Sequence, residues 1–237
     1  MTYLSDQSRW DAVQRRERAA DGAFVFAVKT TGVYCRPTCA GRPLRANVAF
    51  FDTPEAARAA GFRACKRCRP DEARERLRYS IAPCDLGSML VCVSDAGLRA
   101  VLLGDDPAAL RRDLEARFPK ALIAEARLDA EVAAVRSVIA SPGAPLNLPL
   151  DVRGGELAQA VWTALMAIPA GETASYADLA RAIGRPRAAR AVAQACAANP
   201  LPVVVPCHRV VRADGSLSGY RWGVARKQAL IAREAAA

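Results

Sequence analysis

Apolar residues in this chain recur with two periods, and the switches between them mark out its elements. An amphipathic stretch over Ser8–Ala20 predicts a first helix, followed by a β-rich run, Phe24-Val25-Phe26-Ala27-Val28. Thr53 with Pro54 and Glu55 behind it predicts a helix start, ending near Gly61. The charged stretch Pro70–Arg78 reads as a helical or flexible link. Met89–Val93 and Leu98–Leu103 around Ser94-Asp95-Ala96-Gly97 predict a β-hairpin. Leu110, Leu114 and Phe118 mark a helix face ahead of Pro119, and another helix is predicted over Asp129–Ala140. The proline-rich Ser141–Pro149 is a linker or an extended strand.

The last third is the densest in signals. Leu157, Val161 and Leu165 share one face of a helix over Gly155–Met166. Ser175-Tyr176-Ala177-Asp178 has the form of a capping box, opening a helix from Tyr176 to Ile183. Gly184 ends it, Pro186 starts the next over Arg187–Ala198, and Asn199-Pro200 stops that one. A final helix covers Ala225–Ala237. Two short helices across a Gly-Arg-Pro turn fit either a helix-turn-helix or an ordinary helical corner. The second helix has almost no long hydrogen-bonding side chains past its first turn. It suits close, sequence-independent contact with a nucleic acid, or simply tight helix packing.

Charge adds a partner class. The 237 residues carry a net charge of +10. Residues 1–76 have a net +6, residues 77–150 a net −1, and residues 151–237 a net +5. Two basic blocks flanking a neutral one suit a polyanion such as DNA, although a GC-rich genome also raises arginine content. No apolar stretch approaches the ~20 residues that span a bilayer. The polar start (Thr2, Ser5, Asp6, Gln7) is not a signal peptide. A cytoplasmic protein without membrane contact is expected, its eight cysteines being thiols or metal ligands rather than disulfides.

Two cysteine patterns carry chemistry. Cys35 and Cys39, then Cys65 and Cys68, form a CxxxC and a CxxC pair, a zinc-site pattern whose alternative is a redox CxxC with stray cysteines. Lys29, Arg36, Arg42, Arg45, Arg63, Lys66, Arg67 and Arg69 surround it. A four-thiolate zinc site carries a formal −2, so nearby cations are reasonable with or without DNA. The only histidine, His208, directly follows Cys207. Either the pair is a base-activated nucleophile, or Cys207 is a small core residue and His208 a surface one.

The run Phe26-Ala27-Val28-Lys29-Thr30-Thr31-Gly32-Val33-Tyr34-Cys35-Arg36-Pro37-Thr38-Cys39, with Gly61-Phe62-Arg63-Ala64-Cys65-Lys66-Arg67-Cys68, resembles the zinc domain of bacterial Ada methyltransferases. The last third is similar to O6-alkylguanine-DNA alkyltransferases. The similarity lies in Gly171-Glu172-Thr173-Ala174-Ser175-Tyr176, Ala188-Ala189-Arg190-Ala191-Val192, Asn199-Pro200 and Pro206-Cys207-His208-Arg209-Val210. Ser218-Gly219-Tyr220-Arg221-Trp222-Gly223-Val224 looks specifically Ada-like. One departure stands out: about ten residues separate Cys68 from Tyr79, which leaves no room for the AraC-type DNA-reading segment usual in Ada.

The resemblance implies an α+β protein in three parts: an Ada-type zinc domain at 1–76, a ribonuclease-H-like α/β scaffold at 79–150, and a helical, winged-helix-like alkyltransferase domain at 151–237. It implies a single-turnover methylated-DNA–[protein]-cysteine S-methyltransferase, monomeric and acting on alkylated double-stranded DNA. Cys207 would take the methyl of O6-methylguanine or O4-methylthymine. A water would link it to His208, which Glu234 orients; Tyr176 would assist the leaving base and Asn199 fix the cysteine turn. Arg190 would enter the duplex in place of a flipped base, from a helix beginning at Arg187 and lying in the minor groove. Cys35 would take a methyl from backbone phosphotriesters while binding Zn²⁺ with Cys39, Cys65 and Cys68. Thr31, Arg42 and Arg63 fall at DNA-contact positions, and Ala40 stands where Ada has an arginine. Cys84, Cys92 and Cys196 are expected to be structural. Two other classes compete: a damage sensor that binds without transfer, against which Cys207 counts, and a thiol hydrolase, for which no paired oxyanion motif is visible.

Overall fold

The computed structural model describes residues 3–72, 74–141, 143–217 and 219–236; Thr2 and Ser218 lie outside them. The chain divides into two compact units, Met1–Glu75 and Arg76–Ala237.

In the first unit, α1 (Asp6–Arg15) opens on a capping box between Ser5 and Ser8. It is shorter than the predicted Ser8–Ala20 because Arg16 turns into the left-handed region and ends it; Arg18–Ala20 form a separate 3-10 turn. The strands β1 (Val25–Val28), β2 (Val33–Cys35) and β3 (Val48–Phe51), the helix α2 (Pro54–Ala59) and the short β4 (Arg63–Ala64) follow. The sheet order is β3-β1-β2-β4, with β4 parallel to β2. Strand alternation splits its side chains: Phe24 and Phe26 pack with Ala12, Val13 and Val48, while Val25 and Ala27 pack with Tyr34 and Ala57. As predicted, Thr53 caps α2 with Pro54 in its first turn.

In the second unit, β5 (Arg76–Cys84), β6 (Gly87–Ser94) and β7 (Gly97–Gly104) form an antiparallel meander. The strand β5 already begins at Arg76, so the predicted link through Arg78 is shorter than expected. After α3 (Pro107–Arg117), β8 (Leu122–Glu125) returns parallel to β5, giving the order β7-β6-β5-β8. Leu90, Cys92, Ala100 and Leu102 face α3 through Leu110 and Leu114. Met89, Val91, Val93 and Val101 point the other way, where α4 (Asp129–Ala140) packs. Residues 144–149 are irregular. Gly97 admits them: a Cβ there would lie 2.2 Å from the Pro149 carbonyl oxygen.

The same core continues into α5 (Glu156–Met166), β9 (Ala174–Ser175), α6 (Tyr176–Ala182), α7 (Ala189–Ala197), β10 (Val210–Val211) and α8 (Val224–Ala235). Ser175 and Asp178 form the predicted capping box. Pro186 and Arg187 lie in the turn before α7, which starts two residues later than predicted. The two-residue strands β9 and β10 pair in parallel, Ala174 to Val210 and Ser175 to Val211. That pairing ties the Cys207 turn to the start of α6. Among the described residues no helix is long and apolar enough to cross a membrane.

Candidate active site and metal centre

In the first unit the four cysteines converge. The Sγ atoms of Cys35, Cys39, Cys65 and Cys68 all lie within 4.8 Å of one another. Cys35 ends β2, and a turn closed by the Cys39 N–H on the Arg36 carbonyl (3.0 Å) returns the chain to place Cys39. Cys65 is fixed by its N–H on the Tyr34 carbonyl (3.0 Å). A tetrahedral zinc with bonds of about 2.3 Å needs sulfurs about 3.8 Å apart, which this set accommodates. Hydrogen bonds from Cys35 and then Cys68 pull the Cys39 thiol down to about 2, while the hydrogen bond with Cys39 pushes Cys35 up. Such a cluster favours a cation at its centre, and the site takes zinc.

Two buried ions brace this loop, and neither was foreseen. The guanidinium of Arg36 donates to the carbonyls of Cys68 (3.0 Å), Arg69 (2.8 Å) and Glu72, so it shapes the CxxC loop and does not face DNA. The carboxylate of Asp21 accepts from the Thr38 N–H (3.1 Å) and hydroxyl (2.6 Å) and pairs with Arg74. The signal for Asp21 was weak, because an aspartate before glycine usually marks a turn. A cleft of about 670 Å³ opens onto Cys35, with Thr31, Arg42, Arg63 and Lys66 along its walls. All three predicted DNA-contact residues of this unit therefore share one cleft with Cys35.

The second thiol is held differently. Asn199 is fully buried; its amide nitrogen donates to the Val205 carbonyl (2.8 Å) and to Cys207 Sγ (3.2 Å), and its oxygen accepts from the Leu201 N–H (2.9 Å). The side chain thus clamps a turn in which Val203 has φ +72, a conformation costing a β-branched residue about 1–3 kcal/mol. Cys207–Arg209 form a 3-10 turn. From this turn the His208 ring points to Glu234.

His208 Nε2 lies 2.8 Å from Glu234 Oε1. The same carboxylate accepts from Arg209 Nε (3.0 Å) and Nη2 (2.9 Å) and from the Gly171 N–H (3.3 Å). Burial opposes ionisation of Glu234, but the hydrogen bonds from His208 and Arg209 outweigh it and hold the group at about 2. An ionised carboxylate only accepts, so Nε2 carries the hydrogen and Nδ1 keeps a lone pair. That Nδ1 is buried and has no protein partner among the described residues. Burial lowers the His208 pKa, so its ring is neutral at pH 7. Burial also pushes the Cys207 thiol up to about 11, against which the Asn199 hydrogen bond and then the Lys227 charge work.

Sequence reading missed Arg209 and Lys227. Lys227 is 1% exposed and donates to the Val210 carbonyl. With Leu230 and Glu234 it makes the inward stripe of α8, so two charges on an apolar face seven residues apart were a usable signal. Cys196, expected to be structural, shares with Tyr176, Ala193, Cys207, Tyr220 and Trp222 a small cavity of about 50 Å³. Arg190 is exposed and lies on the face of α7 that carries Ala193 and Ala197, both lining that cavity. Arg187 is also exposed but precedes the helix.

Fold and site together define a DNA alkyltransferase unit joined to a zinc–thiolate domain. Residues 8–71 match the family described as the metal binding domain of Ada, and residues 156–236 the 6-O-methylguanine DNA methyltransferase DNA binding domain. The chain is 39% identical to the "Bifunctional transcriptional activator/DNA repair enzyme Ada" of Escherichia coli K12, across 99% of this chain and 98% of that protein. It is 36% identical to the "Regulatory protein ada" of Salmonella typhimurium, across 98% and 97%. The crystal structure of the Mycobacterium tuberculosis O6-methylguanine methyltransferase superposes with a TM-score of 0.58 at 32% identity, covering 68% of this chain and 93% of that one. A related structure is that of the same organism's OGT in complex with DNA, at TM-score 0.55 and 31% identity, covering 68% and 93%. This chain belongs to the Ada family of DNA repair methyltransferases. The alignment with the Escherichia coli protein spans 346 positions against the 237 residues here, so the relative carries a long stretch that this chain lacks.

Proposed function

We propose that the chain repairs alkylated double-stranded DNA by two irreversible methyl transfers, one to Cys207 and one to zinc-bound Cys35. The observation that carries the reading is the array at Cys207: a sulfur held by Asn199, a neutral imidazole whose free lone pair is buried, and a carboxylate fixing its other nitrogen. In the first reaction Cys207 loses its proton through a water to His208 Nδ1, and Glu234 stabilises the imidazolium. The sulfur forms a bond to the methyl carbon as the bond from carbon to O6 of guanine, or O4 of thymine, breaks. Tyr176 supplies a proton or hydrogen bond to the departing base. The thioether is not regenerated, so each chain reacts once.

Cys207 is buried, so a base reaches it only by leaving the helical stack. Arg190 fills the vacated space, and α7, poor in base-reading side chains, lies in the minor groove with Arg187 at its entrance. In the other unit Cys35, Cys39, Cys65 and Cys68 hold the zinc, which keeps thiolates deprotonated at neutral pH. Thr31, Arg42 and Arg63 contact the DNA backbone around the methylated phosphate. The work divides as a zinc domain at 1–76, a scaffold at 79–150 and a DNA-binding and reacting part at 151–237. The chain is read as acting as a monomer. The eight free cysteines suit the reducing cytoplasm.

A duplex carrying radiolabelled O6-methylguanine tests the reading. One equivalent of label should reach the protein, and Cys207→Ala should abolish it. Label from a methylated backbone should survive that change and vanish in Cys35→Ala. Repeated turnover, or triester transfer retained in Cys35→Ala, would refute the assignment.

A further inference from the structure

The cleft over Cys35 has a neighbour. A second groove, of about 530 Å³, runs beside the C-terminal end of α1 and is lined by Trp10, Gln14, Arg15, Arg16 and Arg42 among others. Gly41, Arg42 and Pro43 line both grooves, so the two abut along that segment. No carboxylate is among the described residues lining the second one. Arg15, Arg16 and Arg42 are all exposed, and the Arg15–Glu17 approach of 3.8 Å is too long for a hydrogen bond. Glu17 thus offsets part of the Arg15 charge, while Arg16 and Arg42 pair with no carboxylate among the described residues.

The backbone sets where one of these cations goes. Arg16 caps α1 at φ 50, ψ 48, and its Nη2 donates to the Ala40 carbonyl at 3.2 Å. Position 40 is where the resemblance places an arginine, and here a guanidinium arrives at that spot from α1. Arginines in a last helical turn also complement the helix dipole, which explains Arg15 and Arg16 but not Arg42 or the missing carboxylates.

We infer that this groove binds the DNA phosphodiester backbone flanking the methylated phosphate, with Arg15 and Arg16 as its contacts. The inference rests on reading Cys35 as the triester acceptor. Phosphates follow at about 3.4 Å of axial rise per strand, so a strand with its triester over Cys35 carries neighbours into an adjoining groove. A stacked base is the poorer occupant. The Arg45 guanidinium already covers the Trp10 ring, 5.8 Å from its centroid, so that ring offers no free stacking platform.

The test uses the zinc-loaded full chain and the double variant Arg15→Gln/Arg16→Gln. Zinc content should match the parent, since both side chains are exposed and neither touches the cysteines. With a duplex carrying one methylphosphotriester, the salt slope of binding should flatten by about 1.8, and Cys35 labelling at subsaturating DNA should slow roughly tenfold. Transfer from O6-methylguanine to Cys207 should not change. Replacing the flanking phosphates by neutral methylphosphonates should erase the difference between variant and parent. An unchanged salt slope overturns the groove, as does a difference that persists on methylphosphonate DNA. If the parent never labels Cys35, the acceptor reading fails, and the salt slope still decides the groove.

Discussion

The two reacting sulfurs sit in opposite surroundings. Cys35 is one of four thiols around a metal position and faces a cleft of about 670 Å³ edged with arginines and Lys66. Cys207 is held by the Asn199 amide, and the cavity beside it measures about 50 Å³. The first can meet a methyl group already on the outside of a duplex. The second is reached only by a group delivered into the protein. Activation differs too: both sulfurs are buried, but a metal keeps the Cys35 thiolate ionised at the foot of an open cleft, whereas the Cys207 thiol, pushed up to about 11, needs a base at the moment of reaction.

Removing zinc should separate the two most sharply. The first unit has two small cores, and its CxxC loop is organised around the cysteines, so metal binding and folding are linked. Chelation should abolish transfer to Cys35 and unfold residues 3–72, while transfer to Cys207 persists. Circular dichroism with labelling by site reads both, and parallel loss of the two transfers would contradict independent sites.

Glu234→Gln should come next. A glutamine can offer His208 an N–H in place of an acceptor, which frees the ring tautomer, and leaves Arg209 without its carboxylate. Single-turnover transfer to Cys207 should fall about 10²–10⁴-fold, in the range general base catalysis supplies. The variant should also change acid stability. In the parent, Glu234 is depressed from 4.5 to about 2, so its stabilisation is complete above pH 4.5 and is lost as pH falls towards 2. His208 is lowered too, so its neutral form favours folding above its ordinary range near 6.5, and acidification below that destabilises. The transfer rate should accordingly decline on the acid side of neutrality, where His208 takes up a proton. Urea titrations of parent and variant from pH 7 to 3 should converge as pH falls; curves that stay parallel would remove Glu234 from the account.

The smallest effect is expected of Lys227→Met. Its charge lowers the Cys207 thiol only against a larger desolvation, and the methionine fills similar volume. Transfer should slow about tenfold at pH 7, equivalent to roughly one pKa unit, and recover as pH rises. A rate loss that pH does not rescue would assign Lys227 to packing alone.

The sequence shows the chemistry more readily than the shapes that hold it. The zinc cysteines are legible because ligand spacing is a local constraint, and the capping box at Ser175 because capping is local too. Asp129–Ala140 is read correctly because its apolar period is uninterrupted. The short strands β4, β9 and β10 are invisible, since two residues carry no period and exist only through pairing across the fold. The ends of α1 and α7 shift for the same reason: Arg16 in a left-handed cap and Pro186–Arg187 in a turn are settled by packing, not propensity. Glu234 is named as the partner of His208 only through resemblance, because 26 residues separate them. Arg209 and Lys227 escape even that, as long cations ordinarily read as surface.

The most direct measurement is peptide mass mapping of the zinc-loaded chain after reaction with one duplex carrying both O6-methylguanine and a methylphosphotriester. The account predicts one added methyl on the Cys207 peptide and one on the Cys35 peptide, with Cys196 and the other cysteines unmodified. A Cys207 peptide of unchanged mass, or a methyl found on Cys196 in its place, would contradict it.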